Sequence, residues 1–190
     1  MRIAVCGVGA LGSSAVVLCR NLEAEWRLID LDRVESKNLL SQAFVKQSVG
    51  KNKAEALRLQ LRNFWGVKAE AFGVRLTADN SEALLGPADL LIDCFDNHRS
   101  RRVISTFARR HDKPLVHAAI SADGSFGLVR WEELFTPDEE DEEGQATCEG
   151  GEHLPLIGLV TATLARAVQD FVAHQSKRSY MIALSGVAET

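Results

Sequence analysis

Apolar and polar residues alternate along the chain in blocks whose spacing changes between that of buried strands and that of helices. Five short, mainly apolar runs predict strands. They cover residues 2–6, 26–30, 67–72, 88–93 and 115–120. Between them, apolar residues recur at helical spacing over residues 13–22, 51–63, 81–85 and 99–110. Strands that alternate with helices are typical of a parallel sheet with helices on both faces.

The C-terminal half predicts a different arrangement of strands. A turn at residues 122–124 leads into a strand at 125–131, which we expect to pair antiparallel with the fifth strand. An apolar face over residues 156–171 predicts a long helix, and residues 180–184 predict a last strand. The poorly periodic segment 31–50 predicts an ordered, functional loop. The fold class is therefore α/β: a doubly wound, Rossmann-like sheet, mainly parallel, with antiparallel strands added in the C-terminal half.

Length and charge predict one compact unit with no nucleic-acid partner. The 190 residues suit a single domain, 1–190, in which residues 131–151 form an acidic crossover loop. The net charge is −4, and residues 138–143 supply six of the 26 acids. The rest of the chain has 20 acids against 22 bases, so it lacks the clustered positive charge of a nucleic-acid-binding face.

The cysteines and the hydropathy pattern predict the compartment. Cys6, Cys19, Cys94 and Cys148 are scattered, with no CxxC pair, which predicts a reducing environment and no zinc site of the paired-cysteine type. The first residues indicate a strand rather than a leader peptide, and no uninterrupted apolar run is long enough to span a bilayer. We therefore predict a cytoplasmic protein with no membrane partner and no zinc.

A GxGxxG motif lies between the first predicted strand and the first predicted helix. Gly7 permits a tight turn, Gly9 lets backbone N–H groups approach a phosphate, and Gly12 lets the helix pack against the strand. The positive end of the helix dipole then faces the anion. The motif predicts a nucleotide phosphate site, with a tight turn that binds nothing as the alternative. It does not separate a dinucleotide from ATP.

Polar residues follow the predicted strands, where an open parallel sheet binds its ligands. Asp30 lies where this fold places an acid on the ribose hydroxyls, and Asn38 can donate to a phosphate oxygen. Lys53, at a helix start, offers a positive charge to phosphates, or else lies on a solvated helix face. Asp96 suits Mg²⁺, or else caps the helix that follows it. His117 lies in a strand and is interpreted as structural.

Four blocks in this order resemble the ThiF/MoeB/HesA family, the activating enzymes for ubiquitin-like and sulfur-carrier proteins. The family patterns are GxGxxG, DxDxVxxSNLxRQ, GxxK and DxxDNxxxR, which match residues 7–12, 30–42, 50–53 and 93–101. The resemblance implies a Rossmann-like fold with an ATP·Mg²⁺ site. It also implies a reaction in which the C-terminal glycine carboxylate of a small β-grasp protein attacks the α-phosphate of ATP. The products are an acyl-adenylate and pyrophosphate.

The resemblance also implies which residues form the site. The implied nucleotide-binding residues are Gly7, Gly9, Leu11, Gly12, Asp30, Asp32, Asn38, Gln42, Lys53, Asp96 and Asn97. The implied catalytic residues are Lys53, Asp96, which is also the metal ligand, and Cys148. Cys148 matches a cysteine that in several relatives forms a thioester or an acyl-persulfide, and the alternative is an incidental loop cysteine.

Three functions stay open, the second because of one departure from the family pattern and the third because of the glycine loop and Asp30 alone. Ser41 stands where the family has an arginine, and a serine supplies neither a charge nor a bidentate donor pair. The first hypothesis is an active adenylyltransferase, in which Lys46 or Lys51 compensates. The second is a catalytically weak nucleotide-binding subunit or adaptor. The third is an NAD-dependent oxidoreductase. The implied partners are a small ubiquitin-like or sulfur-carrier protein and a second subunit, either another copy or a partner enzyme.

Overall fold

The computed structural model describes residues 1–135 and 151–190, whose strands join in one eight-stranded sheet. The strands are Arg2–Cys6 (β1), Glu25–Ile29 (β2), Ala69–Phe72 (β3), Leu90–Asp93 (β4), Leu115–Ile120 (β5), Gly127–Trp131 (β6), Tyr180–Ala183 (β7) and Gly186–Glu189 (β8). The helices are Ala10–Leu18 (α1), Lys53–Trp65 (α2), Ala78–Leu85 (α3), His98–Arg110 (α4) and Leu154–His174 (α5). Short 3₁₀ helices lie at Ser36–Leu40, Lys46–Ser48 and Glu132–Leu134.

The order of the strands across the sheet confirms the predicted fold class. It runs β3-β2-β1-β4-β5-β6-β7-β8. The pairs from β3 to β5 are parallel, and the pairs from β5 to β8 are antiparallel. The chain leaves β1 toward β2 on one side and returns to β4 on the other. This reversal is the switch point at which an open α/β sheet binds its ligands, beyond the carboxyl ends of β1, β2 and β4.

Helices cover both faces of the sheet, and each face has its own apolar core. One core includes residues of α1, α2 and α5, and the other includes residues of α3 and α4. Alternate residues of β1 therefore enter different cores: Ile3 and Val5 the first, Ala4 and Cys6 the second. All four are fully buried, which explains why β1 is an uninterrupted apolar run in the sequence.

The bounds of several elements differ from the pattern-based prediction by a few residues, and two differences have a clear physical reason. Helix α1 begins at Ala10, before the predicted start at residue 13, and passes through Gly12. Glycine is a poor helix former, but the position demands it, because a Cβ there would lie 2.0 Å from the Gly7 carbonyl oxygen. Strand β8 was missed because its four residues are all exposed, so it carries no apolar periodicity. It forms the edge of the sheet and pairs only with β7 among the described strands.

Helix α5 is long and apolar enough to cross a membrane by length and composition. More than half of its apolar stretch is buried inside the fold, however. Its buried side chains, among them Val160, Leu164 and Val168, belong to the same core as α1 and β1. The helix therefore has the packing of a core helix, which explains its apolar composition without a bilayer.

Candidate functional site

The glycine loop turns sharply after β1 and packs against the end of β4. Gly7 has φ +84°, a left-handed conformation that side chains disfavour, and its N–H donates to the Ile29 carbonyl oxygen at 2.9 Å. A Cβ on Gly7 would lie 2.8 Å from the carbonyl carbon and oxygen of Cys94. The loop after β1 and the turn after β4 are therefore in direct contact, as the predicted ligand crevice requires.

The N-terminus of α1 is open to an anion. Gly9 is its N-cap residue, and within the described part of the chain no side chain caps the helix and a Cβ on Gly9 would meet nothing within 4 Å. The first backbone N–H groups of α1 thus have no side-chain acceptor among those residues, which is the arrangement that binds phosphate. Leu11 is buried in the core beneath this turn. Gly12 permits the close approach of α1 to Gly7.

Asp30 connects the end of β2 to the glycine loop. Its Oδ2 accepts the N–H of Val8 and its Oδ1 accepts the N–H of Asp32, both at 2.8 Å. Burial raises the pKa of the Asp30 carboxyl, against the opposing effects of the Lys53 charge and of these two backbone hydrogen bonds. The structure thus shows a second use for Asp30 besides the predicted ribose contact, since it fixes the shape of the loop.

Lys53 and Asp32 lie next to this carboxylate. Lys53 is the first residue of α2, as predicted, and its side chain is largely buried rather than solvated. Its Nζ lies 3.3 Å from the Asp32 Oδ2, and the Asp32 side chain is 68% exposed. The lysine charge therefore lies close to Asp30 and to the glycine loop, where a phosphate group would need it.

Asn52 organises this part of the site and was not identified from the sequence. Its Nδ2 donates to the Asp30 and Asp32 carbonyl oxygens at 2.8 and 3.0 Å, while its Oδ1 caps α2 by accepting the Glu55 N–H at 3.1 Å. Gly73 is required beside it, because a Cβ there would lie 3.0 Å from the Asn52 side chain. An asparagine directly before a predicted helix was the available signal.

The loop after β2 brings Asn38, Ser41 and Gln42 toward α1. The Asn38 Oδ1 accepts the Glu35 N–H at 2.8 Å, and no described residue accepts from its Nδ2, which suits the predicted donor role. Ser41 is 8% exposed. The Ser41 Oγ and the Gln42 Oε1 are buried and have no hydrogen-bond partner among the described residues.

Ser13, a second residue missed in the sequence, connects this loop to the glycine loop. Its Oγ donates to the Gly9 carbonyl oxygen at 2.6 Å and accepts the Ala43 N–H at 3.0 Å. The residue is completely buried. Ser13 thus fixes the position of the loop that carries Asn38 and Gln42 relative to Gly9.

The turn after β4 presents Asp96 and Asn97. Asp96 is exposed, and no described residue bonds its carboxylate. Asn97 is the N-cap of α4, where its Oδ1 accepts the Ser100 N–H at 2.9 Å, so the alternative in which Asp96 caps this helix is wrong. Arg101 holds the turn by donating from Nε to the Phe95 carbonyl oxygen at 2.7 Å. An exposed carboxylate next to a phosphate site fits Mg²⁺, which binds one or two carboxylates together with substrate phosphates.

Asp93, at the end of β4, belongs to a buried ionic chain. Its Oδ1 accepts the Phe95 N–H at 3.0 Å, and its Oδ2 contacts His117 Nδ1 at 2.8 Å. The other ring nitrogen of His117 contacts the Glu132 Oε2 at 2.5 Å. Burial by itself lowers the pKa of His117, but its hydrogen bonds to the two carboxylates raise it above the ordinary value. His117 is buried in a strand, as expected of a structural residue, and it also makes ionic contacts with two carboxylates.

Two predictions lie outside this geometry. Cys148 and the acidic residues 138–143 fall outside the described residues. Within residues 1–135 and 151–190, no group of three or more His, Cys, Asp or Glu side chains could hold a metal ion.

A separate depression of about 740 Å³ opens at the other edge of the sheet, at the amino ends of the strands. Arg2, Glu25 and Asp89 are among the residues that line it. The Arg2 backbone N–H donates to the Asp89 carboxylate at 2.8 Å, and the Arg2 Nε donates to the Glu25 carboxylate at 3.1 Å. Both carboxylates therefore have a donor from Arg2. None of the predicted site residues lines it, and we assign it no function.

The reversal of strand order at β1, the glycine loop and the uncapped helix define a Rossmann-like nucleotide-binding protein. Within that class the chain belongs to the ThiF family, whose model matches residues 1–180. The resemblance inferred from the four sequence blocks is thus confirmed.

Relatives and solved structures agree with this assignment. The chain is 30% identical over 175 residues to the adenylyltransferase and sulfurtransferase UBA4 of Lodderomyces elongisporus, covering 86% of this chain and 38% of the relative. It is 38% identical over 125 residues to the sulfur carrier protein adenylyltransferase of Thermus thermophilus, covering 63% and 46%. The E. coli MccB crystal structure with ATP shares the fold, with a TM-score of 0.81 at 18% identity, over 100% of this chain and 63% of that one. The chain thus spans less than half the length of these two curated relatives.

Proposed function

We propose that this chain is an ATP- and Mg²⁺-dependent adenylyltransferase domain that activates the C-terminal glycine of a ubiquitin-like or sulfur-carrier protein. The observation that carries the proposal is the contact between Gly7 and Cys94, which joins the open N-terminus of α1 to the turn that presents Asp96. A candidate phosphate site and a carboxylate that no described residue bonds then lie at one edge of the sheet. Relatives named as adenylyltransferases support the reaction type.

In the proposed reaction the chain supplies positioning and charge. A carboxylate oxygen of the carrier's last glycine forms a bond to the α-phosphorus of ATP, the bond from that phosphorus to the bridging oxygen breaks, and pyrophosphate leaves. The N–H groups at the start of α1, the Lys53 ammonium and the Asn38 amide would hold the phosphates. Each Asp30 oxygen accepts one backbone N–H and keeps a lone pair for a ribose hydroxyl.

Asp96 would hold the metal ion. Mg²⁺, when bound, neutralises negative charge on the phosphates. This electrostatic contribution is the main need of such a transfer, since charge develops on the phosphate oxygens and the reactants must be held in line. The exposed position of Asp96 leaves its carboxylate available for that contact.

Ligand-dependent stability tests the nucleotide assignment. MgATP should raise the melting temperature, because a ligand selective for the folded state stabilises it, and NAD should raise it much less. ATP–pyrophosphate exchange with a carrier protein ending in Gly-Gly then tests the reaction. A larger shift with NAD than with MgATP would reassign the chain to the oxidoreductase alternative.

A substitution at Asp96 tests the metal site. Asp96→Asn should remove the Mg²⁺-dependent part of ATP binding while leaving the melting temperature of the free protein unchanged, because the side chain is exposed and no described residue bonds it. Asp79→Asn, at another exposed aspartate, is the matched control and should bind MgATP like the parent. Equal MgATP affinity in both variants would remove Asp96 from the site.

Ser41 favours a second candidate function, a catalytically weak nucleotide-binding subunit that acts with a partner enzyme. Its hydroxyl is uncharged, and it is buried with no hydrogen-bond partner among the described residues. Ser41 therefore supplies no positive charge to the phosphates. Such a subunit should bind MgATP, give no exchange alone and gain some in Ser41→Arg. An active chain should instead lose turnover in the double variant Lys46→Ala/Lys51→Ala, because both exposed lysines lie in or beside this loop.

The remaining assignments complete the proposal. We infer a single nucleotide-binding domain over residues 1–190, with Cys148 as the residue whose thiolate attacks the acyl carbon of the carrier adenylate, so that a thioester forms, the bond to the AMP oxygen breaks and AMP leaves. Retention of carrier thioester formation in Cys148→Ser would contradict that role.

We further propose a cytoplasmic protein that forms a homodimer or pairs with an enzyme subunit, and that binds neither zinc, membranes nor nucleic acid.

A further inference from the structure

His117 lies between two acidic side chains in the interior. It is 1% exposed, its ring stacks on Phe135 with 3.8 Å between the ring centroids, and its two nitrogens contact Asp93 and Glu132. An ionised carboxylate only accepts hydrogen bonds, so both ring nitrogens must donate. Only the protonated imidazole has two N–H groups. With both carboxyl groups ionised, these contacts and the raised pKa of His117 favour a positively charged ring between two carboxylates.

We propose that His117 and Glu132 are positioning residues for the nucleotide site: the protonated ring, held by Glu132, fixes Asp93 and through it the turn that presents Asp96. The proposal rests on the proposed function at one point, because only under that function does Asp96 bind MgATP. The link between the ring and the turn is a property of the protein without ligand.

The connection from Asp93 to Asp96 is short. The Asp93 Oδ1 accepts the Phe95 N–H at 3.0 Å, and the carbonyl group of Phe95 accepts from Arg101 Nε at 2.7 Å. The same Arg101 nitrogen lies 3.9 Å from the Asp93 Oδ2. Phe95 directly precedes Asp96, so a displacement of the Asp93 carboxylate changes the peptide unit from which Asp96 extends.

The other end of the chain of contacts reaches the surface. Glu132 accepts hydrogen bonds from Ser105 Oγ at 3.1 Å and from Arg109 Nε at 2.5 Å, and the Arg109 side chain is 60% exposed. Arg130 lies opposite His117 in the β5–β6 register, on the same face of the sheet. The charged groups around the ring are thus Asp93 from β4, Glu132 after β6, Arg130 on β6, and Arg101 and Arg109 on α4.

The arrangement makes the turn sensitive to pH. Burial lowers the pKa of His117, but the bonds to Asp93 and Glu132 outweigh it, so the pKa lies above the ordinary 6.5. The stabilising contribution of the charged ring is therefore fully present below pH 6.5 and is lost as the pH rises through the folded-state value. Burial raises the pKa of Glu132, but His117 and Arg109 lower it below 4.5, so its contribution is lost only as the pH falls through that lowered value.

Above the raised value, one ring nitrogen loses its proton and faces a carboxylate with a lone pair. The hydrogen bond on that side is then lost, and either Asp93 or Glu132 becomes an acceptor without a donor from the ring. Glu132 still has Ser105 and Arg109 as donors, so the tautomer that keeps the proton on Nδ1 costs less. Asp93 then keeps its hydrogen bond to the ring but loses the positive charge beside it, and the Phe95 amide should report that loss.

The test compares Glu132→Gln with Glu133→Gln, the same change at the adjacent, exposed glutamate that bonds Lys177. NMR follows the His117 ring and the Phe95 amide against pH in the protein without nucleotide. In the parent, the amide should shift with the same midpoint as the ring. Glu132→Gln should move both midpoints to lower pH, because the ring loses an anionic neighbour, and Glu133→Gln should move neither. A Phe95 amide that does not follow His117, or equal behaviour of the two variants, would overturn the proposal.

A second variant keeps the proposal testable if Glu132→Gln fails to fold. Arg109→Gln removes the exposed cation beside Glu132 and should move both midpoints to higher pH, opposite in sign to Glu132→Gln, because a positive ring is then favoured. A purely structural role for the chain of contacts predicts no such opposite shifts. Midpoints that fail to separate in these opposite directions count against the proposal.

MgATP binding adds the functional measurement. At a pH above the lowered midpoint of Glu132→Gln, this variant should bind MgATP about tenfold more weakly than Glu133→Gln, the effect typical of residues that support a metal ligand. Equal affinities would remove the positioning role at the nucleotide site. A parent protein that binds no MgATP, while Phe95 still follows His117, would refute the proposed function and leave the link between ring and turn established.

Discussion

Two buried aspartates lie at the carboxyl ends of the strands that flank β1. They differ in the group that contacts the Oδ2 of each side chain. Asp30 ends the β2 side and Asp93 the β4 side, and each uses its Oδ1 to accept the N–H two residues further on. The Oδ2 of Asp30 accepts a backbone amide, that of Val8, whereas the Oδ2 of Asp93 contacts the His117 ring. The same turn geometry is thus fixed once by the main chain and once by a titratable side chain.

The difference separates a constant part of the site from an adjustable one. A backbone N–H keeps its proton throughout the working pH range, so the two donors that hold the Asp30 carboxyl do not titrate, and the glycine loop depends on pH only through Asp30 itself. A histidine changes its charge near neutral pH, and this one depends on two further charged groups. We therefore expect substitutions around Asp30 to act through packing and substitutions around Asp93 to act through charge.

The largest expected effect breaks the Asp93 side. His117→Ala leaves the carboxylates of Asp93 and Glu132 buried without the cation between them, which should reduce the free energy of unfolding by about 3–5 kcal/mol. His111→Ala is the control, since its pair with Glu82 lies near the surface and should be worth about 1 kcal/mol or less. Urea unfolding at pH 6 measures both. Equal losses would show that the buried ring carries no special charge.

The next effect breaks the Asp30 side through packing. Gly12→Ala places a Cβ 2.0 Å from the Gly7 carbonyl oxygen, which should cost about 1–3 kcal/mol or more at any pH, since backbone must move. Gly9→Ala meets nothing within 4 Å and should fold normally. The added methyl group occupies the space proposed for phosphate, so ATP affinity should fall about tenfold, or about 1.4 kcal/mol. Normal ATP binding by Gly9→Ala would move the phosphate elsewhere.

The smallest effect sharpens the comparison on the packed side. Ser13→Ala removes the two hydrogen bonds that connect Gly9 to Ala43 and should cost about 1–3 kcal/mol, because each such bond contributes about 0.5–1.5 kcal/mol. Ser81→Ala removes a similar bond, to Ala78, from an exposed helix and should cost less. Thermal unfolding at pH 6 and pH 8 should give the same loss, since no titratable group is involved. A loss of stability that varied with pH would show that Ser13 is coupled to the ionic network around His117.

Local spacing in the sequence was enough to predict the constant part of the site. The strand, the glycines and the helix of the phosphate loop follow one another within a few residues, so the motif alone specified a sharp turn at Gly7 and close packing at Gly12. Helical spacing predicted α2 over residues 51–63, within two residues of its observed bounds. Asn52 was within reach as well, because a cap lies directly before its helix.

Tertiary structure alone decided the adjustable part. His117 is 24 residues from Asp93 and 15 from Glu132, and the sequence predicted both strands without the register between them. The parallel register of β4 and β5 places Asp93 beside His117, and the position of the 3₁₀ turn after β6 adds Glu132. Periodicity shows which face a side chain takes, but a register depends on contacts between distant segments. The apolar pattern of the strands therefore determined the fold, while the charge on one histidine was determined by how those strands align.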